Sequence, residues 1–341
     1  MISRSLTVLL LIAFCFALVL PAAAVDPLGT LTIKNVSCSS VQGSDGIQGS
    51  TCYLATVSCP SLPDIQPALK VNLPTGTSKG TVLYSTGGGG NSWYDTNFTY
   101  GTTAIQNVIN AGYTAVQVDY LYVPKGSQGK ILAGWLTGPG GARSLSCRWA
   151  TIADYVYKNF RTGTAPLCTA SASAGANAPA YAMAFYGLAS EFKMVEQTSG
   201  PTFTQIDNGC LCNAPAVQTA CGQGALSQCY QGEAGLYIDP TYQNHTCTNA
   251  EKTHTSTYLS KYQHDSLLAT DALTTFPNTY IHILLGGLDK ASGPPQATAW
   301  QNSVTGSNVP TVDCIADAAH GIADTLDGAT RIANDLIQSC K

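Results

Sequence analysis

The stretch Thr169-Ala170-Ser171-Ala172-Ser173-Ala174-Gly175-Ala176 sets a hydroxyl nucleophile among neighbours of almost no bulk. A serine held on a sharp strand-to-helix turn projects its hydroxyl above the sheet. The residues two before and two after it must be small, because the turn crowds them together. Around Ser173 those positions hold Ser171 and Gly175, so the usual G-x-S-x-G pattern appears as S-x-S-x-G. The helix expected next would bring its N-terminus and the Ala174 amide beside the nucleophile, where an oxyanion is stabilised. Without chemistry, the same residues are a Ser/Ala-rich turn.

A nucleophilic serine needs a base, an acid to orient that base, and a second oxyanion donor. Thr86-Gly87-Gly88-Gly89-Gly90 offers the donor, since a glycine cluster lets backbone N–H groups face a ligand unobstructed, with Gly88 and Gly89 the candidates. Lipases and esterases use an H-G-G-G loop in this way, and here Thr86 stands where that loop has histidine. A phosphate cradle is the rival reading, but no G-K-[ST] follows. Of five histidines, His245 lies in a glycosylation sequon and His254 and His264 fall in or beside a Cys-rich stretch. His282 alternates with Ile281 and Ile283 inside a strand, as a core or surface histidine does. His320 remains, between small residues on a loop before the last helix, and is the candidate base. Asp289, after a strand and the turn Gly286-Gly287, is the candidate acid. Asp207 is the runner-up, and Asp313 and Asp317 lie too near His320 in sequence to be first choices.

The elements that must position these groups alternate between strand and helix. Strand patterns cover 81–85, 114–118, 166–170, 194–199 and 280–285. Helical spacing covers 103–111, a segment from Leu145 that buries Trp149, Ile152, Ala153 and Val156, and 324–337. This alternation predicts an α/β fold, a mainly parallel central β-sheet with helices on both faces. The post-nucleophile helix runs to about Phe185 and contains Pro179, which either kinks it or marks a later start. Residues 25–73 read as edge strands and turns. Between 207 and 263 periodicity gives way to a Cys-, Gln- and Gly-rich stretch, expected to be a cap inserted over the sheet edge. Trp93, Tyr94, Tyr120, Tyr122 and Trp135 fall near strand ends, either lining a groove or, by the commoner pattern, packing the interior.

Arg4, an apolar run from Leu6 to Leu20 and then Pro21-Ala22-Ala23-Ala24 read as a secretory signal peptide cleaved after Ala24, leaving 25–341 as the mature domain. Of 13 cysteines, Cys15 lies in that leader, and the even remainder in an exported chain reads as a disulfide framework. Cys210-Leu211-Cys212 with Cys221 and Cys229 fits a bridged loop better than a zinc site, because no histidine stands at ligand spacing. Sequons at Asn35, Asn97 and Asn244 could carry glycans. The net charge is −4, and sparse, unclustered Lys and Arg argue against nucleic-acid binding. No later segment is apolar for long enough to anchor the chain in a membrane.

The order Gly loop, Ser173, Asp289, His320 resembles the α/β-hydrolase superfamily, especially secreted serine esterases and lipases, from about Lys79 onward. The resemblance implies an eight-stranded sheet with the site at its C-terminal edge. It also implies cofactor-free hydrolysis of a small-molecule or polymeric ester through an acyl-enzyme. A peptidase or amidase on the same scaffold, and an inactive secreted binding protein, are the competing expectations.

Overall fold

Strands covered on both faces read as nearly continuous apolar runs, and β4 (Thr81–Ser85), β5 (Thr114–Asp119) and β6 (Leu167–Ala172) are buried at every residue. A computed structural model of the chain describes residues 25–41, 46–120, 134–232, 237–242, 245–306 and 308–341. The leader at 1–24, Tyr122 and the Asn244 sequon lie outside these residues. With β7 (Phe192–Thr198), β10 (Tyr280–Gly286) and β11 (Thr311–Ile315), the three strands form a parallel array in the order β5-β4-β6-β7-β10-β11. On the β5 side the sheet continues antiparallel through β3 (Ala68–Asn72), β2 (Thr51–Ser58) and β1 (Thr30–Val36). The sheet therefore has nine strands rather than eight, six in the parallel array and three antiparallel ones from the Ser- and Cys-rich N-terminal segment.

Alternate side chains along each strand point to opposite faces, and each face has its own helices. Val82, Tyr84, Ala170, Met194 and Leu284 pack under α2 (Gly101–Asn110) and the last helix, α11 (Leu326–Ser339). Leu83, Val116, Val195, Ile281 and Ile283 face α4 (Cys147–Asn159) and α5 (Asn177–Ala184), which bury Trp149, Ile152, Ala178 and Tyr181. The short helices α1 (Tyr94–Asn97) and α3 (Gly141–Leu145) precede α2 and α4. Trp93, Tyr94, Tyr120 and Trp135 are all buried, so they pack the interior.

Between β7 and β10 the chain forms a Cys-rich insertion. It holds α6 (Ile206–Leu211), a small hairpin of β8 (Val217–Gln218) and β9 (Ala225–Leu226), then α7 (Asp239–Tyr242), α8 (Thr246–Thr253) and α9 (Leu259–Asp265). Cys210–Cys247 and Cys212–Cys229 bridge within it, and Cys221–Cys314 ties it to β11. Of the other three disulfides, Cys38–Cys52 closes the β1–β2 hairpin and Cys59–Cys147 joins the N-terminal strands to α4. Cys168–Cys340 fastens the C-terminus to β6. No helix among the described residues is long and apolar enough to cross a membrane.

Candidate active site

Ser173 follows the last residue of β6 with φ of 53°, a left-handed conformation that side chains other than glycine rarely adopt. The strand cannot run on and the chain turns sharply into a short 3-10 segment, Ser173–Ala176, before α5 begins. Pro179 thus falls in the first turn of α5, where its missing N–H has no intrahelical partner to lose. The later helix start, rather than a kink, accounts for it. The turn is as crowded as its sequence suggests. A Cβ on Gly175 would strike the Thr86 carbonyl oxygen, and one on Gly87 would lie 3.0 Å from the Ser173 Cβ. Ser171 sits inside β6 with no exposure, and its hydroxyl has no hydrogen-bond partner among the described residues. A small side chain is tolerated there, and its polarity is not used.

The glycine loop lies directly beside the nucleophile. Gly87 approaches Ser173 most closely, and the Gly90 amide bonds the Gly87 carbonyl at 3.0 Å to close the turn. The Gly89 carbonyl accepts from the Trp135 amide at 3.1 Å, and the Thr86 hydroxyl donates to the Ser92 carbonyl at 3.1 Å. Thr86 therefore fastens the base of the loop. Gly88 stands next along the loop, with the Tyr237 ring packed over it.

Asp289 and His320 arrive on two loops stitched together at the end of the sheet. The Gly287 amide bonds the Ile315 carbonyl at 2.8 Å and the Leu288 amide bonds the Ala318 carbonyl at 2.9 Å. The Asp289 carboxylate is almost fully buried. One oxygen accepts from the Ala291 amide at 2.9 Å, and the other lies 2.8 Å from His320 Nδ1. His320 Nε2 is 2.7 Å from the Ser173 Oγ. The carboxylate can only accept, so Nδ1 carries the proton and Nε2 is left to accept from the serine hydroxyl. The other acids lie elsewhere. Asp207 bonds Gln263 at 3.3 Å, Asp313 bonds His282 at 3.1 Å, and Asp317 is exposed.

A cavity of about 20 Å³ opens over Ser173 and Ala174, walled among the described residues by Thr202, Phe203, Tyr230, Tyr237, Ile238, Ser292 and His320. Apart from His320, sequence reasoning did not single out these wall residues. Thr202, Phe203, Tyr230, Tyr237 and Ile238 come from the irregular insertion or the loop before it, and no periodicity marks them. Asn177 organises one side. Its side-chain oxygen accepts from the Thr202 and Phe203 amides at 2.8 and 2.7 Å, while its amide group donates to the Ala174 carbonyl at 2.8 Å. Tyr230 donates its hydroxyl to the Thr202 carbonyl at 3.0 Å, and burial pushes its pKa well above the ordinary value, so it remains a neutral donor.

Neither a family model nor a curated protein matches the sequence. Among solved structures the chain is similar to a protein assigned as a hydrolase from Agrobacterium vitis S4. The two are 12% identical with a TM-score of 0.53 over 86% of this chain and 100% of that one. It is also similar to a puromycin hydrolase, at 15% identity and a TM-score of 0.53, over 84% of this chain and 38% of that one. At such identities the likeness is one of architecture. A mainly parallel sheet flanked by helices, with a Cys-rich insertion, defines the α/β-hydrolase fold for this chain.

Proposed function

We propose that the chain is a secreted serine hydrolase that cleaves carboxylic esters through an acyl-enzyme on Ser173. The observation that carries this reading is the unbroken row Ser173 Oγ, His320, Asp289, with links of 2.7 and 2.8 Å. Its members come from three distant parts of the chain and meet at one end of the sheet. In the first step His320 Nε2 takes the Ser173 proton as Oγ bonds to the ester carbonyl carbon. The Ala174 amide, with Gly88 or Gly89 from the loop, holds the developing oxyanion, each donor worth about 3–4 kcal/mol. The carbon–alkoxy bond then breaks, and the alcohol leaves with the proton from His320. Water, deprotonated by His320, attacks the acyl-enzyme and returns Ser173 to its starting form. Asp289 orients the His320 ring and stabilises the imidazolium.

The leader at 1–24 and the disulfide framework support export, and residues 207–263 act as a cap by contributing Tyr230 and Ile238 to the cavity. Ser173→Ala tests the reading. It should abolish p-nitrophenyl acetate hydrolysis while leaving the melting temperature and circular dichroism unchanged. Undiminished turnover in that variant would remove Ser173 from the role.

A further inference from the structure

We infer that the preferred substrates are esters of very short acyl groups, acetyl above all, and that Phe203, Tyr230 and Ile238 set this limit. The inference rests on the ester-hydrolase reading above and deepens it. The cavity over Ser173 measures about 20 Å³. That is room for roughly one or two water-sized groups, an order of magnitude below the about 300 Å³ at which pockets for larger ligands begin.

The direction of the substrate follows from exposure. The leaving oxygen must come within reach of His320 Nε2, and the His320 side chain is 41% exposed, so the alcohol departs along an open edge. The acyl group is left facing the closed side, where Phe203, Tyr230 and Ile238 are each at most 4% exposed. An acetyl methyl fits there, and a longer chain meets the wall.

That wall is built not to yield. The Phe203 amide is held by Asn177 at 2.7 Å, and the Phe203 carbonyl accepts from the Leu267 amide at 3.1 Å. The Tyr230 ring packs edge-on to Phe203 and against Gly209, its hydroxyl holds the Thr202 carbonyl at 3.0 Å, and the adjoining Cys229 is bridged to Cys212. Ile238 immediately precedes Asp239, whose carboxylate accepts from the Cys247 amide at 2.7 Å, and Cys247 is bridged to Cys210. Enlarging the cavity means moving segments fastened by covalent bonds and buried hydrogen bonds. A tight apolar pocket discriminates by about 10–200-fold for each methylene it cannot accommodate.

The test compares kcat/KM for p-nitrophenyl acetate, butyrate and octanoate on the full-length secreted protein and on Ile238→Ala. The wild type should cleave butyrate at least about 10-fold less efficiently than acetate, and octanoate less again. Ile238→Ala should raise the butyrate-to-acetate ratio by about 10-fold or more. If that variant does not fold, Phe203→Leu gives the same readout from another wall residue. Equal or rising efficiency with chain length, all of it lost in Ser173→Ala, would overturn the acyl limit and leave the hydrolase reading standing. A folded wild type that cleaves none of the three esters would overturn both.

Discussion

His320 and His282 each place Nδ1 at the same distance from a carboxylate, yet their surroundings point to opposite chemistry. His320 bonds Asp289 at 2.8 Å, and its Nε2 faces the Ser173 hydroxyl at 2.7 Å. His282, in β10, bonds Glu196 of β7 at 2.8 Å, but its Nε2 faces a second carboxylate, Asp313 of β11, at 3.1 Å. Asp335 of α11 lies 3.4 Å from Nδ1, and Arg331 pairs with both Asp313 and Asp335. A hydroxyl can donate, so His320 Nε2 is free to accept, as the proposed base must. A carboxylate cannot donate, so both nitrogens of His282 must carry protons. Burial pulls the His282 pKa down, and Glu196, Asp335 and Asp313 more than reverse this, raising it to about 9. Burial likewise pushes the Glu196 carboxyl up, against the pull of His282. What stands on the second nitrogen separates the proposed proton carrier from a structural cation.

The largest effect should come from His320→Ala, which is expected to lower kcat on p-nitrophenyl acetate by about 10⁶-fold, as removal of a base does in well-studied serine hydrolases. Steady-state kinetics on variant and wild type check it. Asp289→Asn should cost about 10⁴-fold in kcat with the fold intact, because an amide group favours the wrong imidazole tautomer. A loss of only a few-fold would mean the row does not work as a unit. His282→Ala makes the opposite case. It leaves Glu196 buried without its cation and should destabilise the protein by about 3–5 kcal/mol in urea unfolding. The kcat of the folded fraction should stay at the wild-type value.

The pH dependence of stability sharpens the contrast further. The His282 pKa is about 9 in the folded chain against an ordinary 6.5, so folding takes up a proton between those values. The stabilisation is therefore whole below about pH 6.5 and lost as pH rises through about 9. Melting temperature should fall across that window in the wild type, and the fall should be shallower in His282→Ala. Identical profiles would show that His282 is not the titrating group.

The candidates for chemistry are legible because each depends on a local rule. Ser173 is marked by the small residues its turn demands, Asp289 by the glycine turn after an apolar strand, and His320 by its place before the last helix. The strands at 81–85, 114–118 and 280–285 are legible because burial on both faces leaves mostly apolar runs, broken only by single polar residues such as Gln117 and His282. β11 is not, since it lies at the sheet edge, half exposed, and reads Thr-Val-Asp-Cys-Ile with no clear alternation. Residues 293–303 begin Gly-Pro-Pro and form the helix α10, buried on nearly every side, so no amphipathic stripe announces it. β3 hides behind Lys70, whose ammonium is fully buried against Asp95 at 2.8 Å. The cavity walls and the acids around His282 are long-range products of packing, which neither spacing nor propensity encodes.

A fluorophosphonate probe tests the central claim most directly, because it reacts only with a serine activated by an adjoining base. On the folded protein it should leave one phosphonyl adduct per chain, located by mass spectrometry on the peptide containing Ser173 and absent from Ser173→Ala. An unlabelled folded protein, or an adduct on any other serine, would contradict the account.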